Sequence, residues 1–205
     1  VVHLLPVKGV AQVVLRFGAR HAGIGLCRAG IIATPIGAMP GLQQPMLALV
    51  MALSLVACGS SLQGRELPLL QVRGTAAAPR KIWLIAQQHP GEHMAEWFMQ
   101  GLLERLQRRD DAELNALLEK ADLYLVPNMN PDGAFRGHLR TNVAGRDLNR
   151  AWQSASQEIS PEVLFVQQQM ETYGVDLFLD VHGDEEIPYV FTAGCEGNPG
   201  YTPRI

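Results

Sequence analysis

Between residues 62 and 192 the sequence alternates short apolar runs with stretches of helical periodicity. Runs that are typical of buried strands cover residues 81–87, 122–126, 175–181 and 189–192. Apolar side chains recur at helical spacing in residues 92–108, 111–120 and 161–173. Strands that alternate with helices predict an α/β fold, with a mixed, largely parallel twisted sheet and helices on both faces.

Residues 46–58 precede most of this pattern and allow two interpretations. They are almost entirely apolar and end at Cys58, as does a bacterial lipoprotein signal with its lipid-acceptor cysteine. No Lys or Arg stands close before them, however, and the preceding residues 1–45 are too long for the start of a signal. The alternative is a helix that continues into a strand, with Cys58 as a small buried hydrophobic residue.

The next apolar run, residues 67–72, contains Pro68. Because proline cannot donate a hydrogen bond to a neighbouring strand, we expect this run at an edge of the sheet. Residues 74–79 are mostly small and predict a turn that leads into the strand at residues 81–87.

Length, charge and cysteine content limit the class of protein. A chain of 205 residues predicts one domain, or one domain with part of a second. The net charge of −3 gives no electrostatic reason to expect nucleic acid or an anionic membrane as a partner. Cys27, Cys58 and Cys195 are too few and too scattered for a disulfide framework or a thiolate zinc cluster.

His89 and Glu92 stand where the strand of residues 81–87 gives way to a helix. In an open α/β sheet, ligands bind in the crevice at this end of the strands. One alternative is the inverted-zincin pattern, in which His89 and His93 bind metal from one continuous helix. Pro90 and Gly91 oppose a continuous helix, because proline restricts the residue before it and glycine weakens helices. We therefore favour His89 and Glu92 as the ligands, with His93 pointing elsewhere.

His182 ends a second strand, at residues 175–181. Parallel strands end at the same edge of a sheet, so His182 is expected beside His89 and Glu92. Two imidazoles and one carboxylate with an open fourth position suit a catalytic zinc ion. A single histidine at a strand end is more often structural, and the prediction depends on the three side chains occurring together.

Residues 127–150 contain no apolar periodicity, which predicts a functional loop. Its arginines are Arg136, Arg140, Arg146 and Arg150. Such a cluster can simply be a solvated basic loop. At the same sheet edge as His89 and Glu92, however, guanidinium groups are suited to bind a carboxylate or to stabilise an oxyanion.

Five motifs, taken together, resemble the zinc carboxypeptidases of the carboxypeptidase A type. They are His89-Pro-Gly-Glu92, Asn130-Pro-Asp-Gly133, Arg140, the segment Gly145-Arg-Asp-Leu-Asn-Arg-Ala-Trp152, and Asp180-Val-His-Gly-Asp184. Within that family the sequence is similar to the cytosolic carboxypeptidase branch, which includes protein deglutamylases. The resemblance implies a carboxypeptidase A-like, phosphorylase/hydrolase-like architecture. It also implies hydrolysis of the C-terminal peptide bond of peptides or proteins.

The resemblance covers about residues 59–205, which are expected to be the N-terminal portion of a catalytic domain. Residues 1–58 are expected to be a leader or the remnant of an upstream domain. Because the chain begins at Val1 and ends at Ile205, we expect a fragment whose fold is incomplete at the C-terminus. The branch predicts a cytoplasmic protein, whereas a lipid-anchored or exported protein is the alternative if residues 46–58 are a signal.

The resemblance also assigns roles to residues at the site. It implies one zinc ion, held by His89, Glu92 and His182. Asp147 matches the carboxylate that orients the first zinc-binding histidine, which fixes its tautomer.

Three residues of the loop match substrate-contacting positions of the family. Arg140 matches the arginine that polarises the scissile carbonyl and stabilises the oxyanion. Asn149 and Arg150 match the pair that binds the free C-terminal carboxylate of the substrate. The specificity for the C-terminal residue and the oligomeric state are not encoded in any of these motifs.

The family's general base is a glutamate from a strand well after the second histidine. Glu185 and Glu186 lie near His182 but do not match that position. We therefore expect this chain to bind zinc but to hydrolyse peptides poorly.

Two other functions are compatible with part of the pattern. The aspartoacylase and succinylglutamate desuccinylase group shares the first His-x-x-Glu motif, the Asp-Leu-Asn-Arg segment and a later histidine. It usually has Gly-Asn rather than Pro-Gly in the first motif, and it lacks Asn-Pro-Asp-Gly. A non-catalytic domain that binds zinc or a carboxylate is the second alternative.

Overall fold

The computed structural model describes residues 11–18, 53–108, 110–184, 186 and 189–194. Within them, seven strands form one sheet: β1 (Ala11–Gly18), β2 (Leu53–Ser60), β3 (Glu66–Val72), β4 (Arg80–Ala86), β5 (Ala121–Val126), β6 (Leu177–Asp184) and β7 (Phe191–Gly194). The α-helices are α1 (His93–Leu106), α2 (Ala112–Leu118), α3 (Pro131–Arg136) and α4 (Pro161–Tyr173). A 3-10 turn covers Leu148–Arg150. Among the described helices, none is long and apolar enough to cross a membrane.

The strand order is β2-β3-β5-β4-β6-β1-β7. The four adjacent strands β5, β4, β6 and β1 are parallel to one another, whereas β2, β3 and β7 pair antiparallel. The predicted α/β fold with a mixed, largely parallel sheet is therefore confirmed. Because β4 and β6 are parallel neighbours, the residues that follow β4 lie beside the end of β6.

Side chains of β4 alternate between two hydrophobic cores, one on each face of the sheet. Trp83 and Ile85 face the core that α4 covers, and Trp83 stacks on Tyr124 with ring centroids 4.8 Å apart. Leu84 and Ala86 face the core that α1 and α2 cover. Burying each large apolar side chain stabilises the fold by about 1.5–3 kcal/mol. The predicted placement of helices on both faces is confirmed, and it fixes β4 rigidly at the centre of the sheet.

The prediction that residues 67–72 form an edge strand is wrong. They lie in β3, which has β2 on one side and β5 on the other. The ladder between β3 and β5 joins only Leu70–Val72 to β5, so Pro68 pairs on the β2 side alone, opposite Cys58. The missing N–H of Pro68 therefore costs no hydrogen bond on the β5 side.

The strand interpretation of residues 53–58 is confirmed, since they belong to β2. Cys58, however, is exposed and is not the buried residue that we expected. The reason is that β2 is an edge strand whose outer face is open. Most of residues 1–58 lie outside the described part of the chain, so the domain boundary at residue 58 stays a prediction. The described strands from this region, β1 and β2, both belong to the seven-stranded sheet.

The helices after β4 and before β6 form where they are predicted, whereas α3 was missed. This six-residue helix contains proline and glycine, and no apolar periodicity marks it. Its ends explain why it forms. The side chain of Asn130 accepts a hydrogen bond from the N–H of Gly133, and Gly137 ends the helix with a left-handed conformation.

Candidate metal centre and the loop beside it

Three side chains meet at the carboxyl ends of β4 and β6. Nδ1 of His89 lies 2.7 Å from Oε1 of Glu92, and Nδ1 of His182 lies 2.7 Å from Oε2 of the same carboxylate. One nitrogen or oxygen atom from each residue lies within 4.8 Å of the others. Two imidazole nitrogens and a carboxylate thus converge on one point.

The segment after β4 places His89 and Glu92. Its first residue, Gln87, has a φ of 57°, which is the left-handed region that glycine favours. The chain turns sharply there. A backbone hydrogen bond from Gly91 to the carbonyl of Leu139, 2.9 Å long, anchors the turn to the following loop. Glu92 is the N-cap residue of α1, so its carboxylate stays at the sheet edge.

Gly183 lets Glu92 approach β6 closely. The N–H of Gly183 donates a 3.0 Å hydrogen bond to Oε2 of Glu92. A Cβ at Gly183 would lie 2.7 Å from Cε of Met94 and 3.1 Å from Cβ of Glu92. Glycine therefore lets Met94 and Glu92 lie close to β6, whereas a larger residue would require both side chains to shift.

His93 lies outside this cluster. Its side chain is 64% exposed, and Nδ1 is 4.0 Å from a carboxylate oxygen of Glu96 on the same helix. The helix begins at His93, so His89 and His93 do not share a helical face as an inverted zincin requires.

A second carboxylate stands behind each histidine. Nε2 of His89 lies 3.0 Å from Oδ1 of Asp147, and Nε2 of His182 lies 2.8 Å from Oδ2 of Asp180. Each ring therefore presents Nδ1 to Glu92 and Nε2 to an aspartate. Carboxylates in this position hold metal-binding histidines in one orientation and one tautomer.

The electrostatics of the cluster favour a cation. Burial lowers the pKa of His182, but the carboxylates of Asp180 and Glu92 outweigh burial and raise that pKa to about 10. Burial raises the pKa of Glu92, but the hydrogen bonds to His182 and His89 outweigh it and hold that pKa well below its usual range. Without a metal ion, a protonated imidazole thus balances the charge of Glu92. A divalent cation can take that place.

The donor set fits zinc. Two histidines and one glutamate are the protein ligands of several catalytic zinc sites, which keep the fourth position open. His89 and His182 are buried and Glu92 is mostly buried, so the carboxylate gains a strong interaction with a bound cation. The fit rests on this chemistry of the donors.

The loop that carries the arginines joins the metal cluster through Asp147. Its Oδ2 accepts a 2.9 Å hydrogen bond from Nε of Arg140, and its Oδ1 accepts a 3.0 Å bond from the N–H of Asn149. Asn149 is buried in the 3-10 turn, and the half-buried Arg150 follows it. One carboxylate thus holds both the histidine and the loop.

The profile of the zinc carboxypeptidase family matches residues 50–192, more than half of the chain. The chain belongs to the zinc carboxypeptidase family. This confirms the predicted membership.

Solved and curated proteins resemble the chain over part of their length. A metallo-carboxypeptidase from Pseudomonas aeruginosa, solved with (2-guanidinoethylmercapto)succinic acid, is 68% identical with a TM-score of 0.70. The alignment covers 78% of this chain and 42% of that protein. An uncharacterized protein of Zymomonas mobilis is 53% identical over 69% of this chain and 36% of its own length. Mouse cytosolic carboxypeptidase 3 is 35% identical over 60% of this chain and 13% of its own length. The chain therefore spans less than half of each of these relatives.

Two of the four arginines of the loop bind elsewhere. Nε of Arg136 donates to Oε1 of Gln63 at 3.0 Å. Arg146 donates from one terminal nitrogen to the carbonyl of Arg150 and to Oγ of Ser154, both at 3.1 Å. The structure thus brings Arg140 to the carboxylate behind His89 but directs Arg136 and Arg146 to other contacts in the zinc carboxypeptidase fold.

The Asn130-Pro-Asp-Gly133 motif supports the segment that carries His89. Nδ2 of Asn130 donates to the carbonyl of Gln88 at 3.1 Å. A Cβ at Gly133 would lie 2.7 Å from Cγ of Pro90, so glycine lets α3 pack directly against the metal-ligand turn. Its aspartate, Asp132, is buried and binds elsewhere: it accepts hydrogen bonds from residues 61, 63 and 65.

Two residues that contact the site, Asp180 and Gln88, were assigned no role from the sequence. Asp180 lies two residues before His182 on one strand, and alternate residues of a strand share a face. That spacing could have indicated a carboxylate beside the histidine. Gln88 carried no comparable signal, since nothing in the sequence indicates that its amide meets Asp180 at 2.6 Å.

Proposed function

We propose that the protein is a zinc-dependent metallocarboxypeptidase that hydrolyses the C-terminal peptide bond of peptides or proteins. The observation that carries this proposal is the convergence of His89, Glu92 and His182 beside Asp147 and Arg140. Membership of the zinc carboxypeptidase family supports the reaction class.

His89, Glu92 and His182 would hold the zinc ion. When bound, zinc polarises the peptide carbonyl and makes water acidic enough to attack it near neutral pH. The residues of the chain prepare the site for this ion. Asp147 fixes the ring of His89, and Gly183 fixes the carboxylate of Glu92.

Arg140 is proposed to stabilise the oxyanion that develops on the scissile carbonyl. Its side chain is 47% exposed, so a ligand can reach it, while the hydrogen bond from Nε to Asp147 fixes its orientation. A fixed guanidinium stabilises developing negative charge without reorganising during the reaction.

Asn149 and Arg150 are proposed to bind the free C-terminal carboxylate of the substrate. A guanidinium can form two parallel hydrogen bonds to a planar carboxylate. The relative from Pseudomonas aeruginosa was solved with a derivative of succinic acid, which is a dicarboxylic acid. That complex supports a site built for carboxylate groups.

We infer that neither Glu185 nor Glu186 is the general base, because neither matches the position of the family's base. Glu185 lies outside the described residues, and Glu186 is exposed. We propose that the 205-residue chain alone binds zinc but hydrolyses peptides slowly. A positioned base contributes roughly 10²–10⁴-fold to such a reaction.

The test compares the 205-residue chain with a form that is extended at its C-terminus to the length of the Pseudomonas aeruginosa relative. Zinc content is measured by mass spectrometry, and turnover is measured on peptides with free and with amidated C-termini. We expect equal zinc content, and turnover of free C-termini only by the extended form. Zinc binding without turnover in the extended form would favour the non-catalytic alternative. Turnover by the shorter chain at a comparable rate would show that a residue such as Glu186 serves as the base.

We also propose a cytoplasmic location. Several curated relatives are cytosolic carboxypeptidases by name, which supports it. A protein found in the membrane fraction with a lipid on Cys58 would instead support the lipoprotein interpretation of residues 46–58.

A further inference from the structure

A buried row of polar side chains lies behind His182. The indole N–H of Trp152 donates to Oε1 of Gln88 at 2.9 Å, and Nε2 of Gln88 donates to Oδ2 of Asp180 at 2.6 Å. The same oxygen lies 2.8 Å from Nε2 of His182. All four side chains are buried. Polar groups so deep in a protein are costly unless they are paired, so the row has a defined geometry.

We propose that Asp180 and Gln88 are positioning residues that hold His182 with Nδ1 toward the metal. Trp152, through its hydrogen bond to Gln88, connects these two residues to the proposed carboxylate-binding turn. This inference rests on the proposed zinc site. Trp152 follows the turn Leu148–Arg150 closely in sequence, and Gln88 directly precedes His89. The row therefore connects three segments that each contribute to the site.

The direction of the hydrogen bonds follows from the chemistry of Trp152. An indole N–H can only donate, so the atom of Gln88 that faces it must be the carbonyl oxygen. The amide nitrogen of Gln88 then faces Asp180 and donates to it. Asp180 accepts through Oδ2, which leaves the Nε2–H of His182 as the second donor to that oxygen. Because Nε2–H stays on Asp180, Nδ1 is the nitrogen whose lone pair becomes available when a metal ion displaces the Nδ1 proton.

The support of His182 differs from that of His89. Asp147 is 19% exposed and also binds Arg140, a group on the substrate side. Asp180 is 1% exposed and binds a neutral amide from the core. Within the described part of the chain, Oδ1 of Asp180 has no hydrogen-bond partner, so both donors use Oδ2. An asparagine at this position can therefore keep an acceptor oxygen for His182.

The experiment measures the affinity of the chain for Zn²⁺ by competition with a chelator. The variants are Asp180→Ala, Asp180→Asn and Gln88→Met. Glu162→Gln is the matched control, because Glu162 is also a fully buried carboxyl group but contacts Asn142 rather than the metal cluster. We expect Asp180→Ala and Gln88→Met to lower zinc affinity about 10- to 100-fold. Asp180→Asn should recover much of this loss, and Glu162→Gln should leave the zinc affinity unchanged.

A spectroscopic measurement separates positioning from general destabilisation. The chain has three tryptophans, so the Trp152→Phe variant assigns the indole N–H resonance of Trp152. We expect added Zn²⁺ to shift this resonance in the wild type and to shift it much less in Gln88→Met. The visible spectrum of bound Co²⁺ should change in Asp180→Ala, because the orientation of His182 changes.

The outcomes distinguish the two proposals. A wild-type chain that binds no Zn²⁺ would overturn the zinc site and the function built on it. Zinc affinity in Asp180→Ala and Gln88→Met within twofold of the wild type would overturn only the positioning role. Because Asp180→Asn and Gln88→Met change the volume of the core little, they keep the test decisive if Asp180→Ala does not fold.

Discussion

Arg140 and His89 are bound by the same carboxylate. Oδ1 of Asp147 lies 3.0 Å from Nε2 of His89, and Oδ2 accepts a 2.9 Å hydrogen bond from Nε of Arg140. Burial raises the pKa of Asp147, but His89 and Arg140 outweigh burial and lower it. The proposed metal ligand and the proposed oxyanion-binding group therefore take their relative position from one charged side chain.

Loss of Asp147 should weaken both the binding of zinc and the stabilisation of the oxyanion by Arg140. In Asp147→Ala we expect zinc affinity to fall about 10- to 100-fold, as for other carboxylates that orient metal-binding histidines. Turnover by the C-terminally extended form should stay low even at saturating zinc, because Arg140 is no longer held. Chelator competition and steady-state kinetics measure the two effects. Asp176→Ala, which removes a carboxylate that contacts Arg80 and the N–H of Lys81, is the control. Full turnover of Asp147→Ala at saturating zinc would show that Asp147 does not position Arg140.

A methyl group at Gly183 should displace Glu92. The added Cβ would lie 2.7 Å from Cε of Met94 and 3.1 Å from Cβ of Glu92. The flexible end of the Met94 side chain can move away, whereas Cβ of Glu92 can move only together with the backbone at the start of α1. We expect Gly183→Ala to lower zinc affinity and to destabilise the fold by about 1–3 kcal/mol. Gly101→Ala is the matched control, because a Cβ there has nothing within 4 Å. The control should raise stability by about 0.5–1 kcal/mol, since Gly101 lies in a helix. Unchanged zinc affinity in Gly183→Ala would mean that the carboxylate of Glu92 tolerates the displacement.

Arg140 and Arg150 should affect different kinetic constants in the extended form. Arg140→Ala should mainly lower kcat, because the oxyanion exists only in the transition state. Arg150→Ala should raise KM for peptides with a free C-terminus and remove the discrimination against amidated peptides. Arg136→Ala is the control, since Arg136 contacts Gln63 instead of the metal cluster. An equal effect of Arg150→Ala on both kinds of peptide would remove Arg150 from carboxylate recognition.

Local patterns in the sequence were sufficient to predict the site residues that lie at the ends of strands. His89 and His182 each follow or end an apolar run, and parallel strands bring such ends together. Pro90 and Gly91 likewise indicated that His93 would point away, because they delay the start of α1. These inferences need only the properties of neighbouring residues.

Contacts between distant segments were harder to predict. The amide of Gln88 meets Trp152, which lies 64 residues away and is placed by its packing in the core that α4 covers. Pro68 correctly indicated a strand position that has no hydrogen-bonded neighbour on one side. The strand itself is not at the edge of the sheet, because β2 pairs with β3 along its length while β5 pairs only with its end. The insertion of β1 between β6 and β7 depends on pairing alone, and no local pattern encodes it.

Asp132 should make the fold sensitive to acid. Burial raises the pKa of Asp132, but hydrogen bonds from Arg65, Ser61 and the N–H of Gln63 outweigh burial and hold that pKa below its usual value. A carboxyl group with a lowered pKa stabilises the folded state above its unfolded pKa, and this stabilisation is lost as the pH falls through the folded pKa. We expect Asp132→Asn to destabilise the chain by about 1–3 kcal/mol at pH 7. The difference from the wild type should shrink as the pH falls below about 4.

Glu162 supplies a control for this measurement, because its effect on stability changes with pH in the opposite direction. Burial raises the pKa of Glu162, so ionisation of this group destabilises the fold as the pH rises through its folded pKa. Glu162→Gln should therefore gain stability relative to the wild type above about pH 4.5, where Asp132→Asn shows its full loss. Urea unfolding of the metal-free wild type and both variants between pH 3 and 7 measures the two trends. A loss of stability in Asp132→Asn that stays constant down to pH 3 would show that the charge of Asp132 contributes nothing, and that the buried hydrogen bonds alone explain the loss.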